Sequence, residues 1–359
     1  MLYRESGQYK TSYIADQAIF PIREDRIGMA IIGLIALAIP FVASDFFLNA
    51  IMTPFLILAL AAIGLNVLTG YAGQLSLGTG AFMGVGAYSC YKLTSIFPDT
   101  NIVILVLLSG LFSAGIGVIF GLPSLRIKGL YLAVTTLAAQ FFIEWCFIRV
   151  PWLYNYNASG AIEVPERRGF GDIILTGPSA APMTQYFIVL GIVVVVTLAV
   201  KNIVRGRIGR QWMMIRDMDI AAELMGVRPL TAKLSAFAVS SYLCGVAGAM
   251  FIFFYLGAAE PSAFSITLSF QILFMVILGG LGSLVGSFFG AAFIWGLPIA
   301  LRVGLPALGI DVGAEIVFQI AQMLVGALII FFLIAEPHGL ARLWSIGKEK
   351  LRVWPFPYA

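Results

Sequence analysis

Acid–base, nucleophilic or metal chemistry needs His, Cys, Ser or carboxylate side chains held within hydrogen-bonding or coordination distance. This sequence offers few that could meet in that way. Its one histidine, His338, lies near the end of the chain, and Cys90, Cys146 and Cys244 each sit inside an apolar run, at no spacing that suits a zinc site or a disulfide framework. Glu144 is the one acid well within a long apolar run, where a carboxylate faces a cavity or a polar partner. Gln140, one helical turn earlier, could pair with it, and Arg149, five residues later, marks a nearby solvated boundary. No Gly-Lys-Ser/Thr loop that could cradle a nucleotide phosphate is present. The sequence therefore predicts no catalytic centre, no metal site, no cofactor bound by this chain and no nucleic-acid partner.

The group of charges at the centre of the chain is "IRDMDIAAELMGV", residues 215–227, where Arg216, Asp217, Asp219 and Glu223 stand beside Ala221 and Ala222. The stretch carries helix boundary signals: Asp217 can cap a first turn, Gly226 can take the left-handed position that ends a helix, and Pro229 follows. On such a helix Arg216, Asp219 and Glu223 share one face, and Met218, Ala221, Ala222 and Met225 share another. About nine residues make a helix that is marginal alone in water, so a partner must bury its small-residue face. Three readings compete. A helix resting on the membrane would favour Trp, Phe and Leu with basic residues, which this face lacks. A catalytic loop would need a nucleophile and a base. A plug docked in a groove of a soluble partner fits alanines that allow close approach and charges that fix orientation.

What must position this stretch is a membrane-spanning body. The 359-residue chain is 60% hydrophobic and 11% charged, against about 25% charged in an ordinary soluble domain. Ten apolar runs are long enough to cross the bilayer, at 27–44, 46–68, 73–94, 102–121, 130–148, 182–200, 234–256, 266–281, 284–301 and 315–335. The third is glycine-rich and the eighth short. The runs are continuously apolar rather than alternating, so they predict helices and not barrel strands. With the N-terminus inside, all but five of the 22 lysines and arginines fall on the cytoplasmic side; Lys92, Arg149, Arg167, Arg168 and Arg302 are outside. The expected organisation is an all-α polytopic membrane protein of about ten spans with both termini cytoplasmic. It comprises a leader at 1–26 with no cleaved signal, a transmembrane body at 27–335, an outer loop at 151–183, a cytoplasmic loop at 201–233 holding the charged stretch, and a tail at 336–359.

Motifs along the chain carry a resemblance. "IRDMDIAAELMGV" resembles the cytoplasmic coupling helix of ABC importer permeases. "GYAGQLSLGTGAFMGVGAY" at 70–88, "KGLYLAVTTLA" at 128–138, "KLSAFAVSSYLCGVAGAMF" at 233–251, "LGGLGSLVGSFFGAAF" at 278–293 and "EPHGL" at 336–340 are similar, in order, to the LivM-like permeases of branched-chain amino acid importers. The long leader and the extended outer loop depart from that pattern. The resemblance implies the ABC importer permease fold and a second, homologous permease subunit. It also implies two cytoplasmic ATPase subunits that carry ATP and Mg, an extracytoplasmic solute-binding protein, and the bacterial inner membrane as location. Arg216, Asp217, Asp219, Ala221, Ala222, Glu223 and Gly226 would then form the contact with an ATPase.

Other residues remain open between structure and transport. Gly80 and Gly84, then Gly282, Gly286 and Gly290, recur every four residues and suit close helix packing, or a hinge or lining of the pathway. Thr135, Thr136, Gln140, Glu144 and Gln271 are either interhelical hydrogen bonders or pathway groups. The lack of charged clusters in the spans excludes highly charged cargo, which would need compensation in low dielectric. A small neutral or zwitterionic solute fits, a branched-chain or hydrophobic amino acid by resemblance, with urea or a short amide as the alternative. An ion-coupled secondary transporter would need ion-coordinating groups at mid-membrane, and a membrane enzyme would need a catalytic constellation.

Overall fold

The computed structural model describes residues 11–12, 23–124, 131–157, 161–168, 174–177, 179–307, 313–336 and 339–353. The leader, the 125–130 connection and His338 lie outside these, apart from the leader's short described pieces. The chain is a helical bundle: α1 (Arg23–Val42), α2 (Asp45–Tyr71), α3 (Thr79–Ile96), α4 (Ile102–Ser124), α5 (Tyr131–Arg149), α6 (Pro182–Arg205), α7 (Arg207–Asp217), α8 (Asp219–Leu224), α9 (Pro229–Leu256), α10 (Ile266–Gly279), α11 (Leu284–Ala307), α12 (Ala314–Ala335) and α13 (Gly339–Val353).

Eight of the ten expected runs are helices long and apolar enough to cross a membrane. The first is shorter, with an apolar stretch of Arg26–Val42. The third differs most from expectation: residues 73–78 are not helical, and α3 begins only at Thr79. Gly73, with φ +68°, ends the helical path of α2, and the Gln74 N–H returns to the Leu68 carbonyl at 3.0 Å, closing the wide π turn Val67–Tyr71. The short eighth run is a 14-residue helix, α10, entered through a 3-10 turn at Pro261–Phe264. Gly339–Val353 adds a tail helix that the sequence pattern did not single out.

Burial separates centre from rim. The apolar windows of α2 and α9 are each 83% buried, whereas those of α11 and α12 are 28% and 18% buried, so α2 and α9 form the axis and the last spans stand at the periphery. Lipid is as apolar as leucine, so helices associate here through close packing rather than through escape from water. Small residues make that possible. Gly64 lies against Leu243 and Cys244, Gly86 meets the Gly245 backbone, and Gly248 meets the Met83 backbone. The described part of the 151–183 loop enters two small antiparallel pairs. β1 (Ile162–Glu163) pairs with β4 (Ala258–Ala259), and β2 (Arg167–Arg168) pairs with β3 (Ile174–Thr176). Arg167 donates from this loop to the Pro98 and Thr94 carbonyls at the end of α3.

Candidate functional site

The loop between α6 and α9 folds as two short helices rather than one. Gly206 closes α6 and opens α7, whose periodicity sends Trp212 and Ile215 inward. Trp212 is fully buried and its Nε1 donates to Ser235 Oγ on α9 at 2.9 Å. This anchors α7 to the bundle. Arg216 and Asp217 are the last residues of α7, so Asp217 caps nothing and the expected start of the charged helix moves. The break falls at Met218, which is extended at φ −153° and ψ 97°, and α8 follows at Asp219. Asp219 Oδ1 accepts from the Ile220 N–H at 2.9 Å. Gly226 takes the left-handed position as expected, with φ +85°, and Pro229 opens α9.

The faces also differ from the sequence reading. Ala222 is buried within its own chain, and its carbonyl accepts from the Val227 N–H at 3.0 Å; Ala221 is half-buried. What points outward is larger: Met218 and Ile220 are each 70% exposed, Met225 64% and Leu224 85%, with Glu223 exposed beside them. The reason is local geometry. The break at Met218 rotates α8 relative to α7, so a single helical wheel drawn across both assigns the wrong inner face.

Arg216 turns back toward the bundle. Its Nη1 donates to the Gly70 carbonyl at 2.9 Å and its Nε donates to Asp217 Oδ1 at 2.9 Å. The Gly70 carbonyl lies in the π turn Val67–Tyr71 that ends α2, where carbonyls lack helical partners and a cation is favourable. The arginine stem covers Gly73, where a Cβ would stand 2.8 Å from Arg216 Cγ. Gly282, φ +76°, lies in the turn between α10 and α11 and not on a helix, which corrects the expected run of glycines on one helical face. Asn66, fully buried, joins this turn to α2: its Oδ1 accepts from the Gly282 N–H at 2.8 Å, and its Nδ2 donates to the Ser283 carbonyl at 2.8 Å and to Ser287 Oγ at 2.9 Å.

The remaining candidates fall into a second junction. Gln140 is fully buried and its amide is taken up by other elements, not by Glu144. Oε1 accepts from the Ala81 N–H at 2.7 Å and from Ser269 Oγ at 3.1 Å, and Nε2 donates to the Phe264 carbonyl at 2.7 Å. Thr136 Oγ1 accepts from the Leu77 N–H at 3.0 Å, and the Gly80 N–H donates to Ser269 Oγ at 2.8 Å. These bonds tie the start of α3 to α5 and α10. A Cβ at Gly80 would lie 2.9 Å from Ser269 Oγ; Gly84 packs on Phe147 and Phe264, and Gly286 on the Gly279 and Gly280 carbonyls. Glu144 and Gln271 are half-buried, and Thr135 bonds within its own helix to the Leu132 carbonyl at 2.8 Å.

The sequence reading passed over Asn66, Trp212, Ser269 and Gln74. Each was visible as a polar or large residue out of keeping with its apolar surroundings, yet the partners of Asn66, Trp212 and Ser269 lie on other segments of the chain. Gln74 is 4% exposed, and neither amide atom finds a partner among the described residues. Also among the described residues, no three of His, Cys, Asp or Glu gather as a metal site.

Comparison with known proteins places this architecture. The family model described as "Branched-chain amino acid transport system / permease component" matches residues 47–333. The high-affinity branched-chain amino acid transport system permease protein LivM of Salmonella typhimurium is 29% identical over 332 residues, covering 86% of this chain and 72% of its own. LivM of Escherichia coli is 27% identical over 342 residues, covering 88% and 75%. No solved structure matches. A match that runs from α2 into α12 takes in the whole buried axis and both glycine turns. The chain belongs to the family of permease components of branched-chain amino acid transport systems, and is a multi-pass membrane subunit of an importer of that family.

Proposed function

We propose that the chain conducts a small zwitterionic solute, a branched-chain or other hydrophobic amino acid, across a bacterial inner membrane, driven by ATP hydrolysed on partner subunits. It pairs with a homologous permease, docks two cytoplasmic ATPases that hold ATP and Mg, and receives solute from an extracytoplasmic binding protein. Both termini and the α7–α8 loop face the cytoplasm. The observation that carries this reading is the apolar ridge of Met218, Ile220, Leu224 and Met225, standing free of the bundle on a loop rich in lysine and arginine. Contiguous exposed apolar side chains rimmed by charge mark a protein contact, and the positive-inside bias sets that contact in the cytoplasm. ATP-driven closure of the ATPases moves α8, and the attached α7, α6 and α9 carry the motion into the bundle.

Two experiments test it. An impermeant thiol reagent applied to intact cells is expected to label Ser179→Cys in the outer loop and to leave Arg210→Cys unlabelled; labelling at Arg210→Cys overturns the orientation. Uptake of labelled leucine and of urea is then compared in a strain with and without the gene. Loss of leucine uptake supports the assignment, while loss of urea uptake with leucine unchanged moves the substrate to urea or a short amide.

A further inference from the structure

We propose that Arg216 is the positioning residue that transmits motion of the docking loop to the two glycine turns at the ends of α2 and α10. This deepens the reading above and rests on α8 being the ATPase contact. Arg216 lies on the first turn behind the Met218 break, so displacement of α8 reaches the bundle through it, while Trp212 holds the far end of α7 against α9. Its guanidinium spans elements distant in sequence: it donates to the Gly70 carbonyl, 146 residues earlier, at 2.9 Å, and Nη1 stands 3.4 Å from where a Gly282 Cβ would be. Asp217 Oδ1 on Nε fixes the orientation of the fork. A planar guanidinium can serve two acceptors at once in a defined geometry, and bonds made by a charged donor are the stronger ones.

Of the three backbones that meet it, Gly70 and Gly73 are glycine for a steric reason and Gly282 for its positive φ of +76°. A Cβ at Gly73 would strike the arginine stem, and one at Gly70 would strike Gly282 N and Asn66 Oδ1. Side chains here would push the turns apart and leave the guanidinium no carbonyl to reach. What Arg216 grips is the cytoplasmic end of α2, the most buried span together with α9, and the first residues of the non-helical 73–78 segment that leads to α3. Asn66 extends the grip to Ser283 and Ser287 at the start of α11. One side chain on the docking loop thus bears on the axis helix, the broken segment and the α10–α11 turn, whereas covalent connection alone reaches only α6 and α9.

The test uses the full complex with its partner subunits in proteoliposomes. Arg216→Met keeps the stem that packs on Gly73 and removes the donors. It is expected to insert and to co-purify with the ATPase subunits, while uptake and solute-stimulated hydrolysis fall at least ten-fold in kcat with KM for the loaded binding protein unmoved. Arg216→Lys restores part of the loss. Leu224→Asp separates the two ideas: it is expected to lose the ATPase subunits, and normal association there sinks the docking reading instead. Wild-type uptake in Arg216→Met, or its loss of the ATPase subunits, overturns the transmission role. Hydrogen exchange on the unmodified complex gives a readout independent of folding of the variant. Nucleotide trapping is expected to change protection at 66–78 and 279–287 together with 207–225, and a change confined to 207–225 overturns the proposal.

Discussion

α7 and α8 are neighbours in sequence, the first basic through Arg207, Arg210 and Arg216 and the second acidic through Asp219 and Glu223, and they have opposite relations to the rest of the molecule. α7 buries Trp212 and Ile215 and sends Arg216 to a carbonyl of α2. α8 buries Ala222 alone and leaves Ile220 and Leu224 in the open. The difference lies in the single extended residue Met218, which uncouples the helical phase of one from the other. A loop built this way has a fixed base and a presented tip, the arrangement a lever needs: the base transmits only if it is rigid, and the tip docks only if it is free.

The comparison can be broken from either side, and the expected effects on stability fall in order. Trp212→Ala removes the anchor and leaves a cavity, a loss of roughly 3–5 kcal/mol; the check is the thermal midpoint and yield of the purified subunit in detergent. Ala222→Trp overpacks a site with no free space, a loss of about 1–3 kcal/mol. It is expected to lower the midpoint of the isolated subunit, and an unchanged midpoint would return Ala222 to the outer face. Gly226→Ala meets no neighbour within 4 Å but forces a methyl into a left-handed backbone, for about 1 kcal/mol, read as faster proteolysis between α8 and α9. Leu224→Asp, at the most exposed position of α8, is expected to change stability by less than about 0.5 kcal/mol and yet to abolish co-purification with the ATPases. A large effect on the isolated subunit would mean that the tip is held by its own chain.

The start of α3 shows why some of this was legible in advance and some was not. "GYAGQLSLGTG" announces a break through its glycines, and the break is present, but the same glycines at four-residue spacing suggested a continuous helical face beginning at Gly73. Gly73 and Gly282 instead take positive φ in turns. Spacing alone does not distinguish a glycine that admits a neighbouring helix from one that reverses the chain, because both uses need the missing Cβ. Gln140 and Glu144 gave a similar ambiguity: one turn apart, they could pair, yet the Gln140 amide is satisfied by Ala81, Ser269 and Phe264 on three other segments.

What the sequence by itself determined are properties set by solvent and local backbone. The apolar runs had to be helices, since hydrocarbon offers no partner for a free N–H or carbonyl. Gly226 and Pro229 mark where α8 stops and α9 starts. Only the tertiary structure decided which way the charged loop faces, that Arg216 reaches Gly70 and that α2 and α9 form the axis. The physical reason is that those outcomes depend on contacts between residues far apart in the chain, made by van der Waals fit and single hydrogen bonds inside an apolar solvent. Neither leaves a periodic trace in the order of residues.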